Sequence, residues 1–171
     1  RGALWRPQID HLAASHRLVT YDHRGVGASD PAPGRFRVRD MAYDALRVAD
    51  AAGLERFHVA GVSMGGMVAQ ELALAAPERV RSLCLIATPR VLAAFGPPRR
   101  RAAALEALLY PPEYLATVDL RALAARFAEQ FAHPTPERTL LLQLAAVAAF
   151  DTRARLPEIT APTLVVQPGR D

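Results

Sequence analysis

The residues best equipped for chemistry stand together in Phe57-His58-Val59-Ala60-Gly61-Val62-Ser63-Met64-Gly65-Gly66, where a strand pattern runs straight into a helix pattern. Gly61-x-Ser63-x-Gly65 at such a junction is the spacing of a nucleophile elbow. A very tight strand-to-helix turn crowds the residues on either side of the serine, and glycine at both flanks is expected to relieve that crowding. Ser63 is then expected to sit in a strained backbone state with its hydroxyl exposed. It also precedes a helix, whose first N–H groups and dipole favour negative charge. The chemistry this implies is attack by Ser63 on a carbonyl carbon, with the Met64 N–H helping to hold the oxyanion and Gly61, Gly65 and Gly66 shaping the turn.

Two other readings of these glycines fare worse. A phosphate-cradling loop needs a lysine after its last glycine, and the sequence contains no lysine. A dinucleotide fingerprint is mimicked by Gly61, Gly65 and Gly66, but Met67 stands where a further glycine belongs, and the next strand ends in Ala87-Thr88 without an acidic residue. Gly25-Val26-Gly27 runs into Pro31 and Pro33 rather than a helix. A nicotinamide-dependent oxidoreductase is therefore the runner-up enzyme class.

The elements that must position the turn follow from periodicity. Apolar spacing predicts helices over Trp5–Ala14, Val38–Ala52 and Met64–Ala76, the last two stopped by Gly53 and Pro77. Strands are expected at Arg17–Tyr21, Arg56–Ala60, Arg81–Ala87 and Pro162–Gln167, with a Gly/Pro-rich loop from Asp22 to about Arg37. Strands alternating with helices of this length imply a mostly parallel sheet flanked by helices, an α/β class. From Thr88 to Arg155 alanine, leucine and arginine dominate and no strand is evident. We read residues 1–87 as the first part of a core, 88–155 as a helical cap, and 156–171 as a return to the core.

Composition narrows the function classes. The chain has 171 residues, 51% of them hydrophobic, and a net charge of +4 to which arginine is the only basic contributor. The arginines are scattered apart from Arg99-Arg100-Arg101, so the pattern lacks the basic face of a nucleic-acid binder. The apolar run Leu140–Phe150 is too short to span a membrane. Cys84, the only cysteine, excludes an internal disulfide and reads as a buried small hydrophobe. The absence of disulfides and of a secretory pattern favours the cytoplasm; the oligomeric state is not legible.

Further motifs carry a family resemblance. Tyr21-Asp22-His23-Arg24-Gly25-Val26-Gly27-Ala28-Ser29, Gly61 to Gly66, Ala76-Pro77-Glu78-Arg79-Val80 and Pro162-Thr163-Leu164-Val165-Val166 resemble, in this order, the signatures of the α/β-hydrolase superfamily. Trp5-Arg6-Pro7-Gln8 is similar to the branch of 3-oxoadipate enol-lactonases and aminoacrylate hydrolases. The resemblance implies a partial α/β-hydrolase fold with a helical cap, no metal or organic cofactor, and a small-molecule ester or enol-lactone substrate. It implies Asp171 as the acid that orients a histidine, and places that histidine beyond residue 171; His11, His16, His23, His58 and His133 do not match its position. It places the second oxyanion donor upstream of Arg1. On this reading the chain lacks a central and an edge strand, and alone would be inactive and unstable. Asp22 and Ser29 read as local turn and cap residues, and Gly25 and Gly27 as serving backbone geometry. Thioester hydrolysis, cofactor-free haloperoxidase-like activity and a non-catalytic binding protein of the same fold remain the alternatives.

Overall fold

The structure is a computed structural model and describes residues 5–87, 116–119, 121–122, 125 and 135–167. One of its two compact units comprises Val19–Pro89 and Thr135–Arg170 and carries the sheet. Helix α1 (Arg6–Leu12) belongs to the other unit; Pro7 sits in its first turn, where a missing N–H deprives the helix of nothing.

Helix α2 (Val38–Ala51) forms from the stripe seen in the sequence: Val38, Met41, Ala42 and Ala49 are buried and the opposite face is polar. The Arg37 N–H donates to the Asp40 carboxylate at 2.7 Å, placing an acidic group in the positive first turn. Strand β1 (Phe57–Val62) leads into α3 (Met64–Ala75) and then β2 (Val80–Ile86), a parallel crossover unit. After the interval come α4 (Glu137–Ala148), a 3-10 turn over Arg153–Glu158, and β3 (Thr163–Val166), parallel to β2. The sheet order is β1-β2-β3, with Ala60 beside Cys84, Gly61 beside Leu85 and Cys84 beside Leu164.

Helix α3 packs against both β1 and β2, and α2 packs against α3. The core lies between them: Gly61, Leu83 and Leu85 of the sheet and Met67, Val68, Leu72 and Ala73 of α3 are all buried. The alternate strand positions, His58 and Ala60, are exposed, and Cys84 is half-buried rather than fully buried as expected. All four residues of β3 are exposed, with Val165 at 63%.

The expected strand Arg17–Tyr21 does not form. Its apolar residues Leu18 and Val19 are 37% and 39% exposed, and no ladder among the described residues runs beside them. A strand exists only through a paired neighbour, so favourable residue types alone leave the segment unpaired.

Candidate active site

Ser63 occupies the single position between β1 and α3, with φ 52° and ψ −120°, and its side chain is exposed. For a residue with a Cβ this is a sparsely populated conformation. Backbone hydrogen bonds hold the residue there, the Met67 N–H also reaching the Ser63 carbonyl at 3.4 Å. The Ser63 N–H donates to the Ile86 carbonyl at 2.9 Å, carrying the β1–β2 ladder one residue past the strand, and the Gly66 N–H donates to the Ser63 carbonyl at 2.9 Å. The Ser63 side chain makes no helix-capping hydrogen bond, so its hydroxyl is not consumed by the turn. Met64, the first helical residue, has no carbonyl one turn earlier to receive its N–H.

The tightness of the turn is visible at Gly61. A Cβ there would meet the Gly65 carbonyl oxygen at 2.3 Å and the Gly66 nitrogen at 2.7 Å, both backbone atoms. Gly65 differs from the sequence reading: a Cβ at that position would meet nothing within 4 Å. The crowding is one-sided because Gly61 faces the first turn of α3, and Gly65 contributes its backbone rather than a bare side.

Ala87, which the sequence did not mark, shares the backbone peculiarity of Ser63. It follows the end of β2 with φ 41°, and its N–H donates to Val166 at 2.8 Å. Among the described residues, the two non-glycine positions with positive φ thus both follow the carboxyl ends of adjacent parallel strands. Open α/β sheets bind their ligands outside that edge. An alanine gives no sequence signal for a left-handed backbone.

The loop preceding α2 is closed on itself. The Asp22 carboxylate accepts the Ala28 N–H at 3.1 Å, and the Ser29 hydroxyl donates to the Asp22 carbonyl at 2.6 Å. Gly27, at φ 58°, lies against that carboxylate so closely that a Cβ would strike it. Arg24 donates to Asp44 at 2.7 Å and lies over the Phe36 ring, fastening the loop to α2. Helix α4 joins the same loop: Arg138 donates to the Ala32 carbonyl at 3.0 Å, and Thr139 fills the space beside Gly25.

The histidines divide clearly. His58 shares a 2.7 Å hydrogen bond with Ser82 across the β1–β2 pair, and His16 one of 2.8 Å with Ser15. His23 is half-buried, its ring edge-to-face with Tyr21 at 5.0 Å. Burial lowers the His23 pKa, opposed in part by Asp44. Asp171 and His133 lie outside the described residues. Among the described residues no three His, Cys, Asp or Glu side chains gather as a metal site. A depression of about 510 Å³ is lined by Asp50, Gly53, Leu54, Glu55 and Arg79. It adjoins the start of β1, and the strand's length puts Ser63 roughly 20 Å away.

A parallel sheet whose strand enters a buried helix through a strained serine defines a class of protein. A family model described as the alpha/beta hydrolase fold matches residues 2–171, and the chain belongs to that family. Among its relatives, RutD of Azorhizobium caulinodans, provisionally named a carbamate hydrolase, is 42% identical over 94% of this chain and 66% of its own. The chain therefore spans about two-thirds of that relative's length. A hydrolase from Pseudomonas aeruginosa PA01 is similar in structure, with a TM-score of 0.76 and 31% identity over 96% of this chain and 66% of that one. The enol-lactonase from Burkholderia xenovorans LB400 gives a TM-score of 0.76 at 26% identity, covering 96% and 67%. No helix among the described residues is long and apolar enough to cross a membrane.

Proposed function

We propose that the chain carries the nucleophile of a serine hydrolase that transfers an acyl group to water. The observation that carries this reading is Ser63 itself, exposed at φ 52° before the first turn of a buried helix. In the proposed reaction the Ser63 Oγ attacks a carbonyl carbon while a histidine outside residues 1–171 takes its proton. The Met64 N–H and a donor upstream of Arg1 receive the oxyanion; one such donor is typically worth about 3 kcal/mol. The tetrahedral species collapses, the alcohol or enol leaves with the proton from the histidine, and water then releases the acid and restores Ser63. Asp171, five residues past β3, is the proposed acid that orients the histidine. Residues 88–155 are the proposed cap that sets substrate size.

A small carboxylic ester or enol-lactone is the proposed substrate, a reading supported by the fold shared with an enol-lactonase. A carbamate is the second reading, favoured by the 42% identity to the RutD relative; the attack on the carbonyl is the same, and the group left on the serine is then a carbamoyl group if the alcohol departs. A fluorophosphonate probe on the full-length protein tests the nucleophile. The expected result is covalent labelling that disappears in Ser63→Ala, and labelling that persists in that variant refutes the assignment.

A further inference from the structure

Helix α3 is gripped from outside the sheet at two adjacent residues. The Thr152 hydroxyl donates to the Gln70 Oε1 at 2.6 Å, and Arg155 donates to both carboxylate oxygens of Glu71, at 2.5 and 3.1 Å. Thr152 and Arg155 are themselves joined, the Arg155 N–H donating to the Thr152 carbonyl at 2.8 Å. Thr152 and Glu71 are buried, at 4% and 5% exposure, whereas the Arg155 side chain is 37% exposed.

A single polar contact would mark one point on the helix and leave its register otherwise to apolar packing against the sheet and α2. Gln70 and Glu71 project about 100° apart around the helix axis, so two contacts from one rigid turn fix both rotation and axial position. The polarity of the latch matters as much as its place. The pair is buried on the Glu71 side only and adds modest net stability, but the two-bond fork of Arg155 on the Glu71 carboxylate is selective for geometry. Glu71 lies eight residues after Ser63, roughly 12 Å along a continuous helix. A shift at the latch is therefore passed to the first turn, where the Met64 N–H stands.

We infer that Glu71 and Arg155, with Gln70 and Thr152 beside them, are positioning residues that set the axial register of α3 and so the placement of Ser63 and the Met64 N–H. The inference rests on the proposed role of Ser63. A displacement of roughly an ångström at a reacting group can cost about 100-fold in rate.

The test compares the full-length wild type with Glu71→Met/Arg155→Met and with Arg155→Lys. Two readouts are taken: the rate of fluorophosphonate labelling at Ser63, and the amide chemical shift of Met64. The paired methionines preserve apolar packing, so a melting temperature within about 3 °C of wild type is expected. The inference predicts labelling at least ~10-fold slower, an intermediate rate in Arg155→Lys, and a displaced Met64 amide in both variants. Wild-type labelling rates with an unmoved Met64 amide overturn it, whatever the melting temperatures do. If the paired variant does not fold, the same two readings on Arg155→Lys decide. If the wild type is not labelled at all, the proposed nucleophile fails, and the Met64 amide shift alone judges the latch.

Discussion

Gly61→Ala and Gly65→Ala differ by the same methyl group and are separated by one turn of backbone, yet the structure assigns them opposite outcomes. A Cβ on Gly61 would lie 2.3 Å from the Gly65 oxygen and 2.4 Å from its carbonyl carbon. Restoring ordinary contact requires the first turn of α3 to retreat by roughly an ångström. That turn cannot retreat freely, because Gly66, Met67 and Val68 are buried behind it. Forcing extra volume into such packing costs about 3 kcal/mol, and the accompanying shift of Ser63 and Met64 slows labelling by about 100-fold. Gly65 meets nothing within 4 Å and is already helical, so alanine there adds helix propensity and stabilises by up to about 1 kcal/mol. Urea unfolding followed by circular dichroism, together with labelling kinetics on the full-length variants, measures both effects. Equal losses at the two positions, or a Gly61→Ala protein with wild-type stability and labelling, would refute the one-sided crowding.

Ser63→Gly removes the Cβ from a position held at φ 52° and ψ −120°; it is expected to raise stability by about 1 kcal/mol in urea unfolding while abolishing labelling. Two half-buried groups in one loop give stability an edge at each end of the pH scale. Burial lowers the His23 pKa from 6.5, against a smaller opposing effect of Asp44, so on acidification the unfolded chain takes the proton first. The His23 contribution is present above pH 6.5 and is lost as the pH falls below it. Burial, then Asp44, pushes the Tyr21 phenol from 10.0 up to about 12, so its contribution is full below pH 10.0 and declines as the pH climbs toward 12. Urea midpoints at about pH 9 and about pH 11.5 should differ in the wild type and converge in Tyr21→Phe; an unchanged difference removes Tyr21 as the cause.

What could be read in advance was local. Helices α2 and α3 fall within a residue of their expected ends, because each carries its own stop, Gly53 or Pro77. Strand β1 runs two residues beyond expectation, through Gly61 and Val62, since pairing with Leu85 and Ile86 outweighs the poor strand propensity of glycine. Readings that depended on a partner elsewhere failed. Arg17–Tyr21 has the composition of a strand and, among the described residues, no neighbour to pair with. Glu71 was a legible oddity, a carboxylate within the apolar run of α3, but Arg155 lies 84 residues away and no spacing rule connects them. The unequal roles of Gly61 and Gly65 are likewise a property of three-dimensional approach, since both are the same letter in the motif.

Strain at Ser63 and Ala87, on the order of 1 to 3 kcal/mol each, persists only where the surroundings leave no cheaper arrangement. For Ala87 the tie is the hydrogen bond to Val166. For Ser63 it is the helix behind it. Seven of the twelve residues of α3 are buried, against four of fourteen in α2. A helix with one buried stripe can roll or lift slightly toward water; one enclosed by the sheet, by α2 and by the Thr152–Arg155 turn has no open side toward which to relax. Gly66, Ala69 and Ala73 are among the buried residues of α3, and their small side chains take little space in that enclosure. The same small residues that make α3 weakly amphipathic in sequence therefore leave it enclosed on every side, and Ser63, at its N-cap, keeps its strained conformation at the expense of packing energy gained several residues away.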